Sequence, residues 1–533
     1  MLSRAKETFS QDTLSVLLRR AAILLEMNGQ TEAAVSLLLN NGDWDEIVRL
    51  IMKHAPSMVE QGQNRPLEDW LSNLPKDMME NDPWLLYWMG ICRLPFDPAQ
   101  SRHYFENAFE RFKTQGEVTG IILACWGIVY SIIFGMADYK PLDRWIPVLE
   151  EFGHSFKEFP SDEIELQFTS AMFSALVYRQ PQHPEIETWA ERAISLAEGS
   201  SNLNLKLQTI ATVALYRVQT GDFGKTLLVI NSLRKLSQSR DATPLIRIRL
   251  GVIEATFYRF MGLYEKCLKA VTDGLELSQT TGIHTFEITL LYHGICSAVS
   301  ASDHTTAARL LEEMSPSLRS FRPWDLCTYH SAKSQEALLR GDPEEAALHM
   351  EQALKLRMEA GFTILTGWCH IQNAHVMHEL GRHREATEHL AHAFDFARNI
   401  RGKNNEYAAL LAEALFAFDQ VKKEAGLLSL RKAFVLGRER GYFGTWGPPP
   451  SGMAKLCTKA LEAGIEIEYV QELIRRLNVI PDQPPLHLEN WPWSLKIYTL
   501  GQFRVGKDGS PIQFSRKVQQ KPLSMLKALI ALG

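Results

Sequence analysis

The sequence predicts an all-α fold, an α-solenoid of helical hairpins followed by a short β-hairpin and helix, and three observations predict it. Turn-like positions recur at Gly221, Gly262, Ser302, Gly341, Gly381 and Val421, with spacings of 41, 40, 39, 40 and 40 residues, the fixed period of a repeat array. Other positions keep step with these anchors. Five residues on come Thr226, Cys267, Ala307, Ala346, Ala386 and Gly426, all small; nine on come Ile230, Val271, Leu311, Met350, Leu390 and Leu430; twelve on come Leu233, Gly274, Met314, Ala353, Ala393 and Ala433. Offsets of four and seven put the three positions on one helical face, where a small first residue admits a neighbouring helix and the later ones fill the groove. Finally, residues 1–475 read as almost wholly helical, and helical spacing gives way only beyond them.

The elements follow in order. Leu14 to Leu39 reads as helix with a turn at Asn28-Gly29-Gln30, and Gly42-Asp43-Trp44 starts another; Asp82-Pro83-Trp84 and Asp97-Pro98-Ala99 mark further helix starts, because Asp caps free amides and Pro suits the first turn. From Val118 to Ala137 there are twenty residues without a charge, just enough to span a bilayer. Three glycines, Thr119 and Ser131 dilute the stretch and no Lys/Arg cluster flanks it, so a buried solenoid helix is expected. Trp189, Ala193 and Leu196 look like a looser copy of the repeat, so residues 1–204 form an N-terminal helical region and 205–475 the regular repeats. In each unit a helix precedes the anchor and another follows. In Gly341-Asp342-Pro343-Glu344-Glu345-Ala346, Gly ends one helix, Asp342 caps the next and the glutamates complement its dipole. Pro481, Pro484, Pro485 and Pro492 make residues 476–493 a linker. Beyond it, Leu495 to Val505 has strand composition, Lys507-Asp508-Gly509-Ser510 a hairpin turn and Pro511 to Phe514 a return strand, before a helix from Ser515.

The repeat residues resemble the tetratricopeptide repeat in its longer form of about 40 residues, where Gly, a small residue and Ala recur in this order. The run Leu495-Lys-Ile-Tyr-Thr-Leu-Gly-Gln-Phe-Arg-Val505, then Asp508-Gly-Ser-Pro-Ile512 and Lys517-Val-Gln-Gln-Lys-Pro-Leu-Ser-Met-Leu-Lys527, resembles the start of an OmpR/PhoB-type winged helix as found in bacterial transcriptional activators. Residues 494–533 match only its opening strands and first helix, so the recognition helix and wing are expected to be absent here. Arg4 to Ala55, with Leu18-Arg19-Arg20-Ala21-Ala22 and Gly42-Asp43-Trp44, is similar to the start of the repeats in MalT-like bacterial regulators. That resemblance implies repeats binding an inducer or protein partner, downstream of a signal-transduction NTPase that no residues here match.

Composition bounds the function. The 533 residues are 45% hydrophobic and 22% charged, enough to bury a large core and to exclude a disordered or collagen-like chain. Of 57 Lys+Arg and 62 Asp+Glu, residues 486–533 hold 7 and 2, so a basic tail follows an acidic body, as a nucleic-acid module would give. Arg516, Lys517 and Lys521 are the candidate DNA phosphate contacts, which add affinity without reading sequence. The seven dispersed cysteines include no Cys-x-x-Cys pair, and the charged Met1-Leu2-Ser3-Arg4-Ala5-Lys6-Glu7 precedes any apolar run. A reducing, cytoplasmic setting without a signal peptide is expected.

No catalytic constellation and no cofactor motif stands out. Gly224-Lys225-Thr226 lacks the upstream glycine of a phosphate loop. Six of the sixteen histidines fall between His370 and His392; His375 with His378, and His389 with His392, share an i, i+3 spacing. Four such imidazoles on adjacent helices are the candidate metal ligands, although polar or packing positions are the expected role. Trp84, Tyr87 and Trp88 lie at helical spacing and are expected in the core. The sequence thus points to a non-enzymatic, signal-sensing solenoid of a regulator whose C-terminal module binds DNA once completed. A stand-alone scaffold for a protein partner is the alternative.

Overall fold

The computed structural model describes residues 10–155, 158–317, 322–444, 447–481, 483–499, 503–507, 510–512 and 520–532. Six helices open the chain: α1 (Gln11–Met27), α2 (Thr31–Leu39), α3 (Trp44–Glu60), α4 (Asn64–Ser72), α5 (Lys76–Asn81) and α6 (Pro83–Arg93). There follow α7 (Pro98–Gln115), α8 (Val118–Gly135), α9 (Leu142–Ser155), α10 (Asp162–Arg179), α11 (Ile186–Gly199), α12 (Leu203–Thr220) and α13 (Phe223–Ser237). The regular repeats continue through α14 (Pro244–Phe260), α15 (Tyr264–Thr281), α16 (Glu287–Ser300), α17 (His304–Ser317), α18 (Pro323–Arg340), α19 (Pro343–Ala360), α20 (Thr366–Glu379), α21 (His383–Asn399), α22 (Lys403–Asp419) and α23 (Lys423–Arg440). A last pair, α24 (Pro450–Glu462) and α25 (Ile467–Leu477), precedes β1 (Leu495–Tyr498), β2 (Arg504–Lys507), β3 (Ser510–Pro511) and α26 (Gln520–Leu532).

All six predicted anchors close a helix the same way. Each has a positive φ, from 57° at Ser302 to 89° at Gly221. The amide of the following residue reaches back to the last turn, as in Leu263 N to Tyr258 O at 2.9 Å and Asp342 N to Ala337 O at 2.9 Å. This is the Schellman closure, which needs a left-handed residue and therefore favours glycine. At Val421, φ is +61° on a β-branched residue that is 88% exposed, so the strain is offset by no packing of its own. Val421→Gly is expected to raise stability by about 1 kcal/mol, the left-handed strain less the entropy of a freer unfolded chain. Urea denaturation checks this; an unchanged or lower midpoint would show that the closure is unstrained.

The in-step positions are where the helices meet. Thr226, Cys267, Ala307, Ala346, Ala386 and Gly426 are all buried, as are all twelve residues nine and twelve places after the anchors. Asp342 accepts a hydrogen bond from Glu345 N at 2.9 Å, the cap its sequence predicts. The two helices of a hairpin differ in kind. Odd-numbered helices bury one stripe, Cys267, Ala270, Val271, Gly274 and Ser278 in α15. From α6 to α22 the even-numbered helices are buried almost all round, as in the unbroken run from Ile288 to Ala298 in α16. A helix apolar on every side must be covered on every side, and these line the inside of a coil. α8 is the extreme case: among the described residues it is the one helix long and apolar enough to cross a membrane, yet its residues from Gly120 to Phe134 are buried apart from Trp126.

The coil is tight enough for successive turns to touch. Arg179 Nη1 donates to Gly361 O at 2.9 Å across 182 residues, Asn404 Nδ2 to Val218 O at 2.9 Å, and Tyr442 Oη to Gly221 O at 2.7 Å across 221 residues. About five hairpins therefore make one turn. The concave surface expected of an open solenoid is largely filled by inner helices meeting across the axis, as where the rings of Phe260 and Trp368 lie 5.3 Å apart.

The Pro-rich segment is held against the last hairpin. Trp491 is buried, and Gln471 Nε2 donates to Asn490 O at 2.7 Å. After it, β1–β2–β3 form an antiparallel sheet with Leu495 opposite Lys507 and Tyr498 opposite Arg504. The run predicted as one strand from Leu495 to Val505 is thus two strands folded back on each other, which pairs backbone groups that a lone strand leaves open.

Candidate binding sites

The predicted histidines do not converge. His375 and His378 sit on the part of α20 that faces α22: His375 packs edge-on to Phe416, while His378 stacks on the same ring at 4.0 Å and bonds Asp419 Oδ2 at 2.8 Å. His389 faces a different partner, with its Nδ1 3.0 Å from that of His370, and the exposed His392 lies over the His370 ring. Their i, i+3 spacing placed each pair on one helix face but not the two faces opposite each other. Among the described residues no group of three or more His, Cys, Asp or Glu side chains could hold a metal ion, so the metal reading is withdrawn. The structure pairs histidines across a hairpin instead, and repeats it: His330 and His349, 40 residues before His370 and His389, bring their Nδ1 atoms within 2.9 Å. Burial lowers the pKa of all four, that of His370 to about 4.

Of the predicted phosphate contacts, Arg516 and Lys517 lie outside the described residues. Lys521 is exposed in the first turn of α26. That helix shows Met525, Leu529, Ile530 and Leu532 to solvent and meets the sheet where Lys527 Nζ lies 4.8 Å over the Phe503 ring.

Two features escaped the sequence reading. The first is α1, the first described helix. Leu14 and Ala22 pack inward, Arg19 donates two hydrogen bonds to Asp43 at 2.7 and 2.8 Å, and Glu26 bonds Arg49, Lys53 and His54 of α3. Hydrogen bonding by Arg49 above all holds the Glu26 carboxyl at about 2. Its other side bears Val16, Ile23, Leu24 and Met27, between 39% and 77% exposed, an apolar stripe at i, i+7, i+8 and i+11. Helical repeats bury their apolar faces against neighbours, and among the described residues nothing covers this stripe. Its spacing was legible, but not which side of α1 would be covered.

The second is a cavity of about 750 Å³ between the core of α1–α6 and the coil. Its walls include Trp88 and Ile91 of α6, Leu123 and Trp126 of α8, and Leu205 and Gln208 of α12. The α3–α4 turn borders it, and there Asn204 Nδ2 meets Glu60 O at 3.5 Å. Helices from so many hairpins meet only because the coil turns back on itself, and no local pattern announces that.

No family model and no curated protein matches the chain. Solved structures do. A Rap protein complexed with Competence and Sporulation Factor is 11% identical, with a TM-score of 0.50 over 68% of this chain and 97% of that one. A chain of the Cut9–Hcn1 hetero-tetramer of APC/C is 10% identical over 90% of this chain and 96% of its own, with a TM-score of 0.38. A signal transduction ATPase with numerous domains and a tetratricopeptide repeat sensor, from Pyrococcus horikoshii, is 12% identical over 74% of this chain and 65% of its own, with a TM-score of 0.35. With the hairpin repeat and its closures, the first of these likenesses makes the chain an all-α, tetratricopeptide-like solenoid.

Proposed function

We propose that this chain is a cytoplasmic, non-catalytic scaffold that binds a protein partner, and that a helical segment of the partner stacks on α1 as the next hairpin would. The exposed stripe of Val16, Ile23, Leu24 and Met27 carries this reading, because helical repeats bury their faces only against neighbours. The double variant Leu24→Asp, Met27→Asp tests it. Affinity capture from cells of the source organism is expected to recover a partner with the native chain and at least about tenfold less with the variant, whose circular dichroism stays unchanged. A crosslinker at position 24 should label the same partner. Equal recovery by both chains would sink the proposal, and a dimer lost in the variant would make a second copy the partner.

A second reading is that the solenoid senses an inducer or partner and controls a winged-helix DNA-binding module of a MalT-like regulator. The antiparallel sheet β1–β3 followed by α26, with basic residues around them, supports it. Its test is fluorescence anisotropy of labelled duplex DNA at low and high salt, with and without Lys521→Glu, since phosphate contacts weaken steeply with salt.

A further inference from the structure

The paired histidines occupy a fixed place in the repeat. Eleven residues before the anchor and eight after it stand Leu291 and Leu310 in the unit of Ser302, and Leu410 and Ser429 in that of Val421, all buried. At the same two positions the intervening units, of Gly341 and Gly381, carry His330 with His349 and His370 with His389. The two pairs share one geometry, with Nδ1 atoms 2.9 and 3.0 Å apart and ring centroids 5.1 and 5.3 Å apart. Between the pairs the chain runs through a seam that closes one turn of the coil. Tyr139 N donates to Ala360 O at 2.8 Å, Arg179 Nη1 to Gly361 O at 2.9 Å and Thr363 Oγ1 to Arg179 O at 3.0 Å, while the Phe362 ring stacks on Tyr139 at 4.9 Å. α19 ends at this seam and α20 starts just after it, so a histidine-paired hairpin stands on either side.

A hydrogen bond between two Nδ1 atoms needs one that carries a proton and one that does not. A first added proton goes to the bare Nε2 of the donating ring and leaves the bond in place. A second must go to the accepting Nδ1, which removes the bond and sets two like charges face to face. A closed pair therefore takes up one proton, and a parted pair two. Among the described residues, the charged and titratable groups that act on the four rings are Lys333 of α18, Glu345 of α19 and Glu385, Glu388 and His392 of α21, with Tyr329 edge-on to His330; α16, α17 and α22, packed on these hairpins, contribute none. The three carboxylates are already engaged by Arg340, Arg382 and Arg384. Because the parted state binds protons that the closed one refuses, closure is whole above the ordinary histidine value near 6.5 and weakens as pH falls from there. Tilting α19 or α20 away from its hairpin partner draws 360–363 off Arg179. We propose that the two histidine pairs form a pH-sensitive latch on the coil: acidification parts α18 from α19 and α20 from α21, and the seam at 360–363 opens while the rest of the array stays folded. The latch is independent of the partner stripe on α1.

Hydrogen exchange of the full chain at pH 7 and pH 5, corrected for the intrinsic rate at each pH, tests the latch. The amides of Tyr139 and Thr363, which donate across the seam to Ala360 O and Tyr178 O, are the reporters, and that of Gly444, which closes the coil on Phe260 O, is the control. Between the two pH values the reporters are expected to lose at least about tenfold more protection than the control. The variant His330→Leu, His349→Leu, His370→Leu, His389→Leu, which copies Leu291 and Leu310, should bring that difference within about threefold. Should it fail to fold, His330→Gln with His370→Gln decides, since a pair with one histidine holds only one charge and the difference should shrink as far. The latch is overturned by reporters that stay protected at pH 5, by a control that loses as much protection as they do, which would mean general unfolding, or by a seam that still opens in the variant.

Discussion

Gly444→Ala is expected to loosen the coil and to cost about 3 kcal/mol of stability. Gly444 N donates to Phe260 O at 2.7 Å, a bond between two turns of the solenoid. A Cβ on Gly444 would run into the carbonyl oxygen of Arg259 and lie 2.6 Å from Gly262 N and 3.0 Å from its Cα. All three are backbone atoms at the closure of α14, so no side-chain rotation relieves the clash, and such overpacking costs about 1 to 3 kcal/mol or more. The neighbouring contact would go with it. Tyr442 is 1% exposed, and its hydroxyl donates to Gly221 O. Tyr442→Phe removes that one bond and should cost only about 1 kcal/mol, which calibrates the larger effect. Urea midpoints give the sizes, and hydrogen exchange should rise at 218–221 and 260–263, where the turns meet. A Gly444→Ala chain as stable as the native one would mean that the turns do not close there.

What could be read from the sequence was whatever repeats locally. A left-handed closure leaves its mark every 40 residues, so Ser302 and Val421 could be recognised as anchors although neither is glycine. The small and large positions that follow were equally plain, because one helix face does one job in every unit. Coil closure has no such signature: Gly444 meets Phe260, and Asn404 meets Val218, through an angle accumulated over about five hairpins. The cavity around Gln208 depends on that same angle, so it was hidden for the same reason. The histidines show the limit of helical spacing. A spacing of i, i+3 fixes which face of its own helix a residue occupies and says nothing about what lies opposite, and the contacts that formed, His330 with His349 and His370 with His389, run between helices at a separation of 19 residues.

Those histidines predict a loss of stability in mild acid. Burial, and secondarily His378, lowers the pKa of His375 to about 3, and burial lowers that of His293 well below its ordinary value. His293 has one nitrogen on Thr256 Oγ1 at 2.8 Å, and that hydroxyl already donates to Val252 O, so it accepts from a neutral ring. A depressed histidine pKa means that the unfolded chain binds protons which the folded chain refuses. Its contribution to stability is whole above the ordinary value near 6.5 and is lost as pH falls from there toward the folded value. For His375 alone the loss between pH 7 and pH 5 is about 2 kcal/mol, and the paired histidines add to it. Carboxylates act in a lower window. The Glu26 pKa is depressed to about 2, so its contribution is lost only as pH drops below about 4.5. Urea unfolding at pH 7 and pH 5 should therefore report histidines, and His375→Gln, which has no proton to take up, should lose about 2 kcal/mol less over that interval than the native chain. Equal losses in both chains would place His375 where water reaches it, and α20 could not then be buried against α22.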